Sequence, residues 1–309
     1  MKLISTYRDI PLSATLLSSM LAVGWLLPNH YPPWLAFHAN TCVAVALLII
    51  ASRGVLVVKN RVPLTWEGAL LSLIALTPLV HHIAGLTPLI SDAVLLTLYL
   101  TGVMLAYVLG YHWARADSRQ PVTYIFGATL IASIVSTGIA TYQWLGLAQD
   151  LGLTDIWVLP FADGTRPYAN MGQPNQLASL LMLGALGALW FWRIKIFGNI
   201  VTLIVLVWLV WGIALTESRT ALLTFFLGVA VLSLARPGFV KSGQIRAVQL
   251  IFAFYLLCLL GKPYIASAIG LHLPLSLLER SSGELRLGLW QMALDASLHS
   301  PWIGYGWGN

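Results

Sequence analysis

The sequence predicts an all-α polytopic membrane protein with about nine transmembrane helices, and three observations carry that prediction. Of 309 residues, 58% are hydrophobic and only 9% are charged, whereas soluble domains carry about 25% charged residues. The apolar residues gather into nine runs, each close to the roughly 20 residues that a helix needs to cross a bilayer core. Finally, lysine and arginine are shared unequally among the connections, a bias that orients helices in membranes.

The first run, residues 11–27, follows Lys2 and Arg8. It imitates a secretory signal, but no small-residue cleavage site closes it and further runs follow, so it reads as a membrane anchor. The second run, 34–52, holds Cys42, as the ninth holds Cys258. Both thiols lie inside apolar sequence, placed for packing and not for a disulfide or a metal cluster. Runs three and four, 66–84 and 92–113, are joined through His81 and His82, which read as interfacial polar residues. The fifth run, 122–146, leads into a polar loop, 147–173, that carries Asp150, Asp155 and Asp163. The sixth, 174–193, opens on Pro174, whose missing N–H costs nothing in the first turn of a helix. Runs seven and eight, 198–216 and 219–235, are separated by almost no connection, and the ninth spans 248–266. The rest of the chain contains SSGELRLGLWQMALD, where Leu285, Leu289, Met292 and Leu294 recur near helical spacing. This segment predicts an amphipathic helix lying on the membrane, with Ser281 or Ser282 near its start and Glu284 in its first turn. The organisation is therefore a transmembrane domain over 1–266, with the external loop 147–173, followed at 267–309 by the beginning of a larger external segment.

Sidedness follows from the basic residues. With the N-terminus in the cytoplasm, the inside segments hold Lys2, Arg8, Arg53, Lys59, Arg61, Arg115, Arg119, Arg193, Lys195, Arg236, Lys241 and Arg246. The outside holds only Arg166, Arg219, Lys262, Arg280 and Arg286. Because the seventeen basic residues are scattered singly between apolar runs, the net charge of +6 reads as an orientation signal and not as a nucleic-acid surface.

Two places on the external side are too polar for their surroundings. RPYANMGQPNQLA, residues 166–178, sets Asn170, Gln173, Asn175 and Gln176 within seven positions at the start of the sixth run. Any one of these amides can be read as a helix cap. Four together exceed that need and predict a polar site at the interface. The second place is TESRTALL, which puts Glu217 and Arg219 at or just inside the external boundary, where charge is expensive and marks a site by default. A local Glu217–Arg219 pair or a snorkelling arginine head is the plainer reading. Thr216, Ser218 and Thr220 add hydroxyl donors at the same point. Arg166, Arg219, Arg280 and Arg286 beside several amides predict a phosphate-type anion at headgroup height, because a guanidinium forms forked bonds to phosphate and stays charged at a low-dielectric boundary. Arg286 also reads as an ordinary solvated residue of its helix. No metal site is expected.

GQPNQLASLL, ESRTALL and the tail ELRLGLWQMALDASLHSPWIGYGWGN resemble the bacterial O-antigen ligase and polymerase superfamily. The first stretch most resembles its protein O-oligosaccharyltransferases of the PglL, or pilin-glycosylation, type. The resemblance covers the whole chain in topology and 166–309 in specific motifs; Pro301, Gly304, Gly306 and Gly308 are shared with ligases and polymerases, while GQPNQ points to the protein-glycosylating branch. It implies a metal-independent, inverting glycosyltransferase of GT-C type in the bacterial inner membrane. Such an enzyme transfers a preassembled oligosaccharide from undecaprenyl pyrophosphate to Ser or Thr of an exported protein such as pilin, on the periplasmic face and without a cofactor. By motif, Arg219, Arg286 and Arg166 would hold the pyrophosphate, Gln173 or Gln176 would assist donor binding or catalysis, and Asn175, Glu217 and Trp290 would support them. The early external stretch PNHYPPWLAFHAN, which lacks the carboxylates of metal-dependent relatives, agrees with that implication. The family's general-base histidine lies downstream of the glycine-rich segment, and this sequence stops at Asn309. The expectation is therefore a C-terminally truncated chain, weak or dead in catalysis; His299 precedes the glycines and reads as a surface residue, His30 and His38 read like His81 and His82 as interfacial polar residues, and His112 and His272 show no partner spacing.

Three other readings stand beside this one. An O-antigen ligase acting on lipid A core, or a glycan polymerase, would share the donor, and the GQPNQ box argues against it. A lipid-linked sugar transporter would be expected to show internal repeats and helices interrupted near the midplane, neither of which is found. A structural membrane subunit would use its arginines only to bind the headgroups of membrane lipids.

Overall fold

Each of the nine apolar runs is an α-helix in the structure, a computed structural model that describes residues 4–29, 36–57, 65–117, 119–147, 166–234, 242–271, 284–302 and 304–307. The helices are α1 (Ile4–Leu26), α2 (Phe37–Val57), α3 (Trp66–Ile83), α4 (Ile90–Asp117), α5 (Arg119–Trp144), α6 (Pro174–Arg193), α7 (Asn199–Leu215), α8 (Arg219–Leu234) and α9 (Ser242–Ala268). A tenth, α10 (Glu284–His299), follows them, and a 3-10 turn, Ala169–Met171, precedes α6. Among the described residues there is no strand. Among the described residues four segments are long and apolar enough to cross a membrane: Ile90–Arg115, Pro121–Trp144, Pro174–Arg193 and Ile245–Ala268. Four more are apolar but shorter, Ala14–Leu26, Phe37–Ser52, Asn199–Leu215 and Arg219–Val231. The loop aspartates Asp150, Asp155 and Asp163, together with His30, His272 and Arg280, lie outside the described residues.

The chain forms two compact units, one comprising Met1–Thr6, Leu47–Pro121 and Ser276–Asn309, the other Tyr7–Ala46 and Val122–Leu275. In the second, Leu177, Leu180 and Leu181 of α6 meet Leu209, Val210 and Ile213 of α7 and Tyr255 and Cys258 of α9 in one buried core. Small residues let these helices approach closely, as they do where lipid supplies no hydrophobic drive for association. A β-carbon on Gly187 would stand 2.9 Å from the Phe126 carbonyl, and one on Gly212 would stand 2.7 Å from the Thr137 hydroxyl. Each of these contacts is below normal van der Waals separation.

Alternate helix ends gather at opposite ends of this unit. At one end the α6–α7 turn closes on itself, with Ile196 and Phe197 donating to the Phe191 carbonyl at 2.9 and 3.1 Å and Trp192 donating to Asn199 at 2.8 Å. The opposite end collects the end of α1, the end of α5, the GQPNQ box, the α7–α8 hairpin and the C-terminal part of α9 through the bonds described below. These are the ends that the charge bias assigns to a single face.

The first unit pairs α3 with α4. Thr65 caps α3 by accepting from Gly68 N at 3.2 Å, and its hydroxyl lies 2.6 Å from the Tyr107 hydroxyl. The glycine-rich tail seats on the turn between the two helices. The Trp307 indole donates to Thr77 at 3.0 Å, and Gly306, with φ of 96°, packs against the Leu86 carbonyl so closely that no side chain fits.

The helix α10 departs from the expected single apolar face. Leu289 and Met292 point to one side, while Leu287, Leu294 and Leu298, at intervals of about two turns and one turn, point to the other, and all five are exposed. Leu285, Leu289 and Met292 follow the helical repeat, but Leu294 breaks it, since a helix turns 100° per residue.

Candidate functional site

The GQPNQ box is assembled from the backbone upward. Gly172 ends the 3-10 turn in the left-handed region at φ 70°, and a β-carbon there would lie 2.9 Å from the Asn29 carbonyl. Glycine is thus required twice over, for the backbone angle and for the close approach of the chain leaving α1. Gln173 follows in extended conformation and makes no side-chain cap bond, and Pro174 starts α6. The first N–H groups of α6 therefore lack a cap from that side chain, and a helix start of this kind attracts negative charge.

The four amides expected to act together divide into two pairs. Asn170 is 1% exposed; its Nδ2 donates to the Trp25 carbonyl at 2.6 Å, and its Oδ1 accepts from Ser136 at 2.8 Å. Its own carbonyl accepts from Asn29 N at 2.9 Å. Asn170 thus fastens α1 and α5 to the box and does not face a ligand, which corrects the reading of it as part of an interfacial polar site. Asn175 Oδ1 accepts from the Ser218 hydroxyl at 3.0 Å and so joins the start of α6 to the start of α8. Gln173 and Gln176, one turn apart, are the exposed pair.

A strut that sequence reasoning missed is Gln143 on α5, fully buried. Its Oε1 accepts from Tyr168 N at 3.1 Å and from Ala169 N at 2.7 Å. These two bonds support Ala169 at φ 51°, an angle that a residue with a β-carbon seldom adopts. The only hint in the sequence was a glutamine inside an apolar run. Tyr168, half-buried beside it, has its phenol pushed above the ordinary value by burial, so it stays neutral at physiological pH.

The α7–α8 hairpin is just as tightly specified. Glu217 adopts φ 47°, and its carboxylate forms a buried ion pair with Lys262 of α9. Its carbonyl accepts from Arg166 Nη1 at 3.3 Å. This overturns the local Glu217–Arg219 pair: the acid turns inward to the lysine, and Arg219 is left exposed at the start of α8. Two of the three hydroxyls are not part of a donor cradle either. Thr216 donates to the Ile213 carbonyl at 2.7 Å, and Ser218 donates to Asn175 while accepting from Ala221 N at 3.3 Å. Short hydroxyl side chains beside a helix start find nearby backbone partners before they find ligands. Lys262, counted among the external basic residues, is 2% exposed and owes its position to the ion pair.

Arg286 and Trp290 are carried on α10 in the other unit. Trp290 is 69% exposed, and the side chain of Arg286 lies outside the described residues. His299 Nδ1 lies 2.7 Å from the Asp295 carbonyl one turn earlier, a contact within its own helix. Among the described residues no three His, Cys, Asp or Glu side chains converge as metal ligands.

The result in the second unit is one rim holding the uncapped start of α6, exposed Gln173, Gln176 and Arg219, and half-buried Arg166. Its electrostatics favour an anion: two helix starts point their N–H ends at it, and among the described residues the carboxylate beside it, Glu217, is paired with Lys262.

Residues 167–192, the box and most of α6, match the protein glycosylation ligase family PglL_A. The chain is 29% identical over 302 residues to a general O-oligosaccharyltransferase of Acinetobacter baylyi, which covers 93% of this chain and 51% of that protein. It is 26% identical over 216 residues to a ComP-specific O-oligosaccharyltransferase of the same organism, covering 68% of this chain and 37% of that one. The chain thus spans about half the length of the first relative and less of the second. No solved structure matches. The likeness read from GQPNQLASLL is confirmed: the chain is similar along nearly its whole length to a protein O-oligosaccharyltransferase, and its GQPNQ box lies inside the segment that matches the protein glycosylation ligase family.

Proposed function

We propose that the chain is the membrane part of an O-oligosaccharyltransferase, a GT-C-type glycosyltransferase that moves a preassembled glycan from undecaprenyl pyrophosphate to Ser or Thr of an exported protein such as pilin. The reaction takes place at the periplasmic face of the bacterial inner membrane. In it the acceptor oxygen attacks the anomeric carbon, the bond from that carbon to the phosphate oxygen breaks with its electron pair leaving on the pyrophosphate, and the hydroxyl proton passes to a base. A single displacement inverts the anomeric centre. The charge that grows on the leaving pyrophosphate is met by Arg219 and Arg166 and by the start of α6, whose backbone N–H groups are in place before reaction, the kind of donor that stabilises a transition state without reorganisation. Gln173 and Gln176 bind donor oxygens by their amides. No metal takes part, and none of the chain's seven histidines is assigned as the base.

The observation that carries the reading is the bond from Ser218 to Asn175, which joins the two motif segments so that Gln173, Gln176 and Arg219 share one rim. The test is transfer by the full-length protein in membranes supplied with lipid-linked oligosaccharide and an exported acceptor. Arg219→Lys keeps the charge but loses the forked geometry, and it should reduce transfer about a hundredfold, the scale of losing one fixed donor to a developing anion. Unchanged transfer by this variant would remove Arg219 from the site.

A further inference from the structure

The most costly feature of the rim is one that the donor site does not use. Lys262 and Glu217 are an ion pair whose side chains are 3% and 8% exposed, 45 residues apart in sequence. Withdrawing two charges from water is repaid only where geometry is good, and an apolar pair of the same volume often serves stability equally well. Stability alone is therefore a weak reason for the pair. Glu217 is also in the left-handed region, at φ 47°, and a residue with a β-carbon stays there only when its surroundings over-determine it. Two contacts do so here: Lys262 holds its carboxylate and Arg166 holds its carbonyl. The residues directly after this turn are Ser218, bonded to Asn175 of the box, and Arg219, exposed at the rim.

We propose that Lys262 is a positioning residue of the donor site: by fixing the left-handed turn at Glu217 it sets the register of Ser218 against Asn175 and the aim of Arg219. The lysine does not touch the donor, since its ammonium is spent on Glu217 and closed off from solvent. The proposal rests on the anionic-donor reading of the rim, but its geometric part stands independently of that reading.

The test uses the full-length protein. Lys262→Met strands a buried carboxylate and is expected to misfold, so the informative variant is the double Lys262→Met, Glu217→Met, which leaves no uncompensated charge. It should accumulate and melt like the wild type. Its KM for lipid-linked donor should nevertheless rise about tenfold or more, and Lys262→Arg, which keeps the pair, should stay near wild type. The second readout needs no activity: spin labels at Ser179 on α6 and Leu223 on α8, in a background with Cys42 and Cys258 replaced by alanine, report the spacing of the two helix starts through dipolar broadening. That spacing should change or broaden in the double variant. Either a wild-type KM or a wild-type spacing in the folded double variant overturns the proposal. If the wild-type protein transfers nothing from any pyrophosphate-linked donor, the function reading fails, and the label spacing alone decides whether Lys262 sets the turn.

Discussion

Asn170→Ala separates a strut from a ligand at the box. The substitution removes the amide that donates to the Trp25 carbonyl at 2.6 Å and accepts from Ser136 at 2.8 Å. The bond from Asn29 N to the Asn170 carbonyl survives, because it is made by the backbone. Two buried polar groups, one carbonyl and one hydroxyl, then lose this partner, at about 1–3 kcal/mol each. Site burial at 1% leaves little room for water to replace the amide, so a total of about 3 kcal/mol is expected, or roughly a hundredfold in the folded-to-unfolded ratio. On the scale of about 2–4 °C per kcal/mol for chains of this order, the melting temperature in detergent should fall by roughly 6–12 °C. Ser136→Ala should give a smaller loss, and the double variant should cost less than the sum, because the two side chains share a bond. An Asn170→Ala protein that melts like the wild type but has lost transfer would refute the reasoning and return Asn170 to the ligand set.

Gly172→Ala should lower stability by about 1–3 kcal/mol, since it combines a left-handed backbone with a β-carbon 2.9 Å from the Asn29 carbonyl; thermal melting checks it, and a wild-type Tm would show that the end of α1 yields easily. Gly212→Val should overpack the contact with Thr137 and Leu181 at a cost of about 1–3 kcal/mol, seen as reduced folded yield on size-exclusion chromatography. The raised Tyr168 phenol predicts an alkaline effect. Burial disfavours its phenolate, so the unfolded chain releases that proton first, near pH 10, and the associated stability is intact below that pH and lost as pH rises beyond it. Tyr168→Phe should therefore flatten the loss of Tm above pH 10, and an identical alkaline profile in the variant would show that the phenol does not contribute.

Much of this architecture was legible in the sequence because the signals were local. Nine apolar runs became nine helices, Pro174 fell at a helix start, and the alternation of basic residues matched the sorting of helix ends in the second unit. What stayed hidden was non-local. Nothing near Glu217 in the chain indicates that its partner is Lys262, because adjacent Arg219 offers the same charge at no cost in sequence separation. The preference for Lys262 becomes intelligible only when α9 packs against the hairpin and closes it to solvent, where an unpaired carboxylate could not remain ionised. The split of the amides was hidden for a similar reason. Asn170 and Gln173 are alike in composition, but the Asn170 side chain meets the end of α1, which lies more than 140 residues earlier.

The same contrast explains why the rim exposes an arginine and buries a lysine. A lysine ammonium is a compact point charge that one carboxylate can satisfy, as Glu217 does for Lys262. A guanidinium has five donors in a planar fork and needs either several acceptors or a doubly charged one. With Glu217 already committed, the exposed Arg219 fork faces outward beside an uncapped helix start and two exposed glutamine amides. Among the described residues donors outnumber acceptors there, which suits the proposed pyrophosphate, an anion with several oxygens. The ion pair beneath supplies no attraction of its own, since its charges cancel. It removes a carboxylate that would otherwise repel such a ligand, and it holds the turn that aims Arg219, so a folded Glu217→Gln, Lys262→Gln protein, which is neutral by another route, should still bind inorganic pyrophosphate more weakly in calorimetry. Unchanged affinity in that folded variant would show that cancelling the charge is all the pair does.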